Sequence, residues 1–380
     1  MADADDDRLR IMHGGAFYEL MNRLGIRNRG WRAFVLASLC WATPIVFLLA
    51  TRGGHGAALF LSDWGAWAKF LIAPALLTLT EKPISVSLDK CMCLLLRTPL
   101  VASQSITNAK EALQDARVRT TALVPELACL LVAIAASAFN ASNLLDGTGP
   151  AWAVSDGGTS LAGLWSVSIG NTIYWFLLTR LMWKHVVWGR LLHTIGRCRL
   201  RLTVTHPDGH GGLGLLGSYS AGSALFTLAV SSVLAAGVGH VMQRQAVTPT
   251  LFTTVCAGWL ALVAIYFALP LAPLEVQLAR LKRQSVLLSV AKLTDAERAA
   301  ERKALGTNVF EDEAEQEFQG NEPRDAKPVY LASVKTSALI MDKKIILPVL
   351  WPALLPLLLV GASYLPYSEL GPIAKRLLFL

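Results

Sequence analysis

Charge is what this sequence has least of. Asp, Glu, Lys and Arg make up 16% of its 380 residues, where an ordinary soluble domain carries about 25%. The deficit argues against a disordered chain and against a typical cytosolic enzyme. Motifs for soluble catalysis are equally scarce. There is no Walker A loop, no G-x-S-x-G elbow and no H-E-x-x-H pair. The six cysteines include Cys91 and Cys93 as a C-x-C, but no C-x-x-C, so neither a zinc ribbon nor a redox pair is encoded. Cys40, Cys129 and Cys256 fall inside apolar runs, where a thiol acts as a small hydrophobe. One set of letters imitates a dinucleotide fingerprint: Gly212, Gly214 and Gly217 fit G-x-G-x-x-G. The acidic residue required about 20 positions later would fall at 231–234, inside an apolar run, so the Rossmann reading fails.

What the chain has instead is apolar length. It is 53% hydrophobic, with a mean hydropathy of +0.46. A helix needs about 20 mainly apolar residues to cross a bilayer core. Runs at 33–51, 64–81, 122–144, 161–183, 219–242 and 250–272 qualify. A seventh, 345–362, carries Pro348, Pro352 and Pro356 and reads either as a kinked span or as a re-entrant hairpin. The span is preferred, which puts Lys375 and Arg376 on the side opposite the N-terminus. The opening Asp3, Asp5, Asp6 and Asp7, and an apolar run that starts only near Ala33, predict a retained span rather than a cleaved signal. The fold class expected is therefore an all-α polytopic integral membrane helical bundle of six or seven transmembrane helices, with a helical cytoplasmic portion.

The basic residues test that map. Segments 1–32 and 82–121 each hold six, 184–218 holds five and 273–344 holds twelve. The intervening 52–63 and 243–249 hold one each, and 145–160 holds none. Cytoplasmic loops collect Lys and Arg, so the alternation predicts a cytoplasmic N-terminus and a bacterial inner-membrane location. The formal charge of +8 then marks topology and anionic headgroups rather than nucleic acid. The expected partners are the lipid bilayer, those headgroups and a second copy of the chain in a homo-oligomer.

The domain plan follows. Residues 1–32 form a cytoplasmic amphipathic segment. Residues 33–272 form the membrane domain, with cytoplasmic loops 82–121 and 184–218. Residues 273–344 give a cytoplasmic helix and an acidic linker, the helix running from Glu275 to Leu305 without internal Gly or Pro. Residues 345–380 hold the Pro-rich segment.

Candidate sites are polar groups in apolar company. In the fifth run Ser220, Ser223, Thr227 and Ser231 share a helical face. Asn171 and Thr172 in the fourth, and Asn140 in the third, do likewise. Such faces turn from lipid, either to glue helices or to line a pathway for ions or small polar solutes. Ionisable groups in spans are costly and usually functional. Lys69 and Glu126 are the two to watch; their depths differ and they are not paired. Arg180 and Lys184 are expected to reach headgroups, with Glu275 near one of them, and no charge is placed at the midplane. Outside the spans, His206, Asp208 and His210 alternate across a Pro- and Gly-rich turn. They offer ligands for a divalent transition metal, with His185 or His193 to complete the set, although Pro207-Asp208-Gly209 is also ordinary turn chemistry.

Three functions remain open. The first is a channel or transporter for ions or small polar solutes. The second is a membrane-bound metal-dependent enzyme or sensor built on the His206 loop. The third is a structural or assembly subunit of a membrane complex. No catalytic residue is assigned.

Overall fold

The computed structural model describes residues 14–145, 149–155, 158–310, 326–365, 371–372 and 377. The N-terminal aspartates, the acidic stretch 311–325, and Lys375 and Arg376 lie outside the described residues.

Long apolar segments with satisfied backbones become helices, and the chain is an all-α polytopic bundle. A short helix α1 (Ala16–Arg23) precedes the first long one, α2 (Arg29–Leu61). Then come α3 (Trp64–Arg97), α4 (Ile106–Thr121), α5 (Leu123–Leu145), α6 (Leu161–Ile195) and α7 (Gly214–Arg244). The last are α8 (Pro249–Leu305), α9 (Lys327–Lys335) and α10 (Lys343–Tyr364). Seven of these, α2, α3, α5, α6, α7, α8 and α10, are long and apolar enough to cross a membrane. The chain is a multi-pass membrane protein. The only sheet among the described residues is a hairpin of Val154–Ser155 with Gly158–Thr159.

Several helices outrun their apolar cores. α3 continues from the apolar run through Glu81–Arg97, burying Ser85, Leu88, Cys91, Met92 and Leu95 on one face. α2 continues to Leu61 past a break at Gly53 (φ 64°), where only a loop was expected. α8 runs out of the bundle as a 34-residue helix, Ala272–Leu305, closed by left-handed Gly306. Between α6 and α7 the described backbone makes one isolated bridge, Val101 with Leu200.

The seventh long helix is unbroken across all three prolines, so the hairpin alternative fails. Ser220 Oγ at the start of α7 donates to the Ile345 carbonyl at 3.3 Å. At the other end a side chain on Gly239 would stand 3.4 Å from Val360. α7 and α10 therefore run parallel, side by side, over Ala229, Ala235 and Ala236 on one and Val349, Ala353 and Leu357 on the other, all buried. Small residues let the two backbones approach.

A buried charge cluster and a polar cavity

Two polar layers lie on the same helix pair, α3 and α6. The first sits toward the end of the bundle that carries α1. Arg180 and Lys184, one helical turn apart on α6, share a face. Both are buried, at 2% and 4% exposure. Arg180 Nε donates to Glu126 Oε1 at 3.0 Å and Nη1 bonds Glu81. Lys184 Nζ lies 3.6 Å from Glu81 Oε1. The Phe17 amide donates to Glu126 Oε2 at 2.9 Å, and its ring lies 5.1 Å from the Arg180 guanidinium. Two cations meet two carboxylates, so the cluster is neutral. The expectation that Arg180 and Lys184 extend to headgroups is thereby corrected. Glu275 joins neither; it accepts the Ile340 amide at 3.0 Å. Beneath Lys184 and Glu81 is a void of about 30 Å³ bordered by Ser223 and His185.

The second layer is a cavity of about 340 Å³ among α3, α5, α6, α7 and the loop 149–153. Lys69, Asp63, His240, Asn140, Asn171 and Ser166 line it, beside Phe70, Trp152, Leu144 and Val233. Asp63 is fully engaged. Gly65 N–H and Trp152 Nε1 donate to it at 2.7 and 2.8 Å, and His240 Nε2 lies at 3.0 Å. Lys69 is not: among the described residues no carboxylate pairs with it, and the Tyr174 ring, 5.9 Å away, is its neighbour. Both walls of the cavity are locally widened into π-helix, at Trp67–Ile72 and Ser166–Gly170. Such bulges recur at functional sites. They meet where Gly170 faces Phe70; a Cβ there would stand 2.8 Å from the ring.

Twelve residues separate Lys69 from Glu81, a rise of about 18 Å. Between the layers Ala73, Leu77, Tyr174, Leu177 and Leu178 are all buried. A largely apolar plug thus divides the open polar cavity from the buried ionic cluster.

The remaining candidates fall on either side of this arrangement. Asn140, Asn171 and Lys69 line the cavity. Thr172 does not; it donates to Ser137 Oγ at 2.8 Å, tying α6 to α5. Glu126 belongs to the ionic cluster. Ser220, Ser223, Thr227 and Ser231 are buried in helix contacts. Ser231 Oγ accepts from Trp259 Nε1 at 2.9 Å, tying α7 to α8, as Ser220 ties α7 to α10; Thr227 bonds carbonyls of its own segment, and Ser223 borders the small void. Residue types and spacing alone do not pair Arg180 with Glu81 and Glu126. The usable signal was the Arg180–Lys184 spacing of four, with one acid near the same end of each of two neighbouring runs.

The His206 loop forms the turn. Asp208 accepts amides from His210 at 2.8 Å, Gly214 at 2.9 Å and Gly212 at 3.0 Å. His206 Nδ1 lies 2.8 Å from its Oδ1. Gly212 has φ 102°, and a side chain there would strike Leu100. Burial pushes the Asp208 carboxyl up, but the amides of Gly214, His210 and Gly212 and the ring of His206 outweigh it and hold it below its usual value. His185 is elsewhere, stacked on Tyr266 at 3.9 Å. Among the described residues no three His, Cys, Asp or Glu side chains form a group that would hold a metal ion, so the metal reading has no geometric support in this loop. No protein-family model, curated protein or solved structure matches the chain.

Proposed function

We propose that this protein is a transporter or channel for small polar solutes in a bacterial inner membrane, with its N-terminal face in the cytoplasm. The observation that carries the reading is the cavity around Lys69. An ammonium with no carboxylate partner is expensive within a membrane span and marks a solute pathway by default. An apolar plug and a neutral ionic cluster beyond it suit a closed state of a transporter better than an open pore. The plug is built mainly from the apolar Ala73, Leu77, Leu177 and Leu178, which offer a polar solute nothing to bind. The ionic cluster, which Phe17 caps from α1, is a lock that would have to separate for the opposite side to open.

The test is flux. Proteoliposomes containing the full chain should take up a labelled small polar solute, and Lys69→Met should reduce uptake at least about tenfold, the loss of one modest charge interaction. Uptake no faster than in empty liposomes, across cationic, neutral and anionic solutes, would remove the reading and favour an assembly subunit.

A further inference from the structure

The cavity's chemistry points to one class of ligand. We infer that it binds a small organic carboxylate carrying a hydroxyl or amino group, its carboxylate on Lys69 and its hydrogen-bond donor on Asn171. This deepens the transport reading and rests on it only for direction of movement, not for binding.

Charge comes first. Of the two charged side chains lining the cavity, Asp63 already accepts three contacts, from Gly65, Trp152 and His240. Lys69 Nζ has three donors and no carboxylate partner among the described residues, so the site's open charge is positive. A carboxylate supplies what it lacks.

The second observation is independent. Asn171 is 1% exposed, and its Oδ1 has no hydrogen-bond partner, although its Nδ2 donates to Ser137 at 3.1 Å. Ser166, 0% exposed, also has a hydroxyl without a partner. Both line the cavity. Buried polar atoms without partners cost about 1–3 kcal/mol each, and such a pair beside an unpaired ammonium is what a ligand would complete. An acceptor oxygen calls for a donor on the ligand, beyond its carboxylate.

Size and wall chemistry exclude simple inorganic ions. About 340 Å³ is the lower end of the range for small-molecule sites. Phe70, Trp152, Leu144 and Val233 give the cavity apolar walls that a chloride or phosphate would not use, but that a short carbon skeleton would.

The test is binding by the purified full-length protein in detergent, measured calorimetrically at constant ionic strength. The probes are glycolate, lactate, 3-hydroxybutyrate and alanine, with lactamide and chloride as controls. At least one carboxylate should bind with a Kd below about 1 mM, and lactamide should not. Lys69→Met should weaken that carboxylate at least about tenfold without lowering the melting temperature, because the ammonium has no ion-pair partner to lose. Asn171→Leu should weaken it by a similar factor, and is the second probe should Lys69→Met not fold. Binding by none of the four carboxylates, equal binding of lactamide, or unchanged affinity in both variants would overturn the inference. Carboxylate binding without flux would retain the site and sink the transport reading. Cation flux without carboxylate binding would do the reverse.

Discussion

Arg180 illustrates how much one buried side chain is asked to hold. It bonds Glu126 and Glu81, on two different helices, at 2% exposure. Removing one partner of a buried ion pair leaves an uncompensated charge and costs about 3–5 kcal/mol. Arg180→Met should therefore lower the melting temperature of the detergent-solubilised protein more than any loss at Lys69. The double variant Arg180→Met, Glu126→Gln should recover much of that loss, because Glu81 then keeps Lys184 as its partner and neither buried charge is left alone. Additive losses across the series would show that the residues do not act as one network. This network was only half legible from residue types. Glu126 stood out as an acid in an apolar run, but Arg180 and Lys184 sit where long side chains ordinarily snorkel. Hydropathy places a side chain in depth only to about a helical turn. That margin separates a headgroup contact from a buried pair.

At the scale of elements, the loop from His206 to Gly214 joins α6 to α7 through a turn gathered on Asp208. Its stability rests on one carboxylate that gathers three amides. Its pKa is held below the ordinary 3.8, so the stabilisation is fully present above that pH. It is lost as the pH falls through the lower, folded-state value. Amide exchange at Gly212 and Gly214 should stay protected from pH 7 down to about 4, near the free carboxylate pKa, and rise only below it. Asp208→Ala should abolish that acid-dependent step and expose both amides at every pH, at a cost of about 1–2 kcal/mol. Protection lost already between pH 7 and 5 would mean that Asp208 does not hold the turn. Pro207-Asp208-Gly209 announced this turn in the sequence. The π-helical segments on α3 and α6 did not announce themselves, because one extra residue in a turn leaves the composition of a run unchanged. Likewise the polar stripe of α7 was visible as a face. Whether that face met solute or a neighbouring helix depended on α10, whose position no local pattern specifies.

For the whole molecule, the number and direction of crossings decide which compartment meets the cavity. The parallel course of α7 and α10 puts residue 364 at the same end of the bundle as Arg244, and hence as Lys69 and His240. α1 and the ionic cluster lie at the other end. An odd number of crossings separates the first described residues from the end of α10. The loops at the α1 end hold nearly all the Lys and Arg, and cytoplasmic loops are the basic ones. The cavity should thus open away from the cytoplasm. Ser62 and Ser363, both exposed near the cavity end, and Ser103, exposed at the other, allow a direct check by single cysteine substitutions. The native cysteines are all buried except the half-buried Cys93, so a Cys93→Ser background keeps the signal clean. A membrane-impermeant maleimide should label Ser62→Cys and Ser363→Cys in intact spheroplasts, and Ser103→Cys only after permeabilisation. If Ser363→Cys labelled together with Ser103→Cys, α10 would not cross, and its parallel contact with α7 could not exist in the membrane. If all three reversed together, the bundle would stand but the cavity would face the cytoplasm, and a carboxylate bound at Lys69 would be cargo for export rather than uptake.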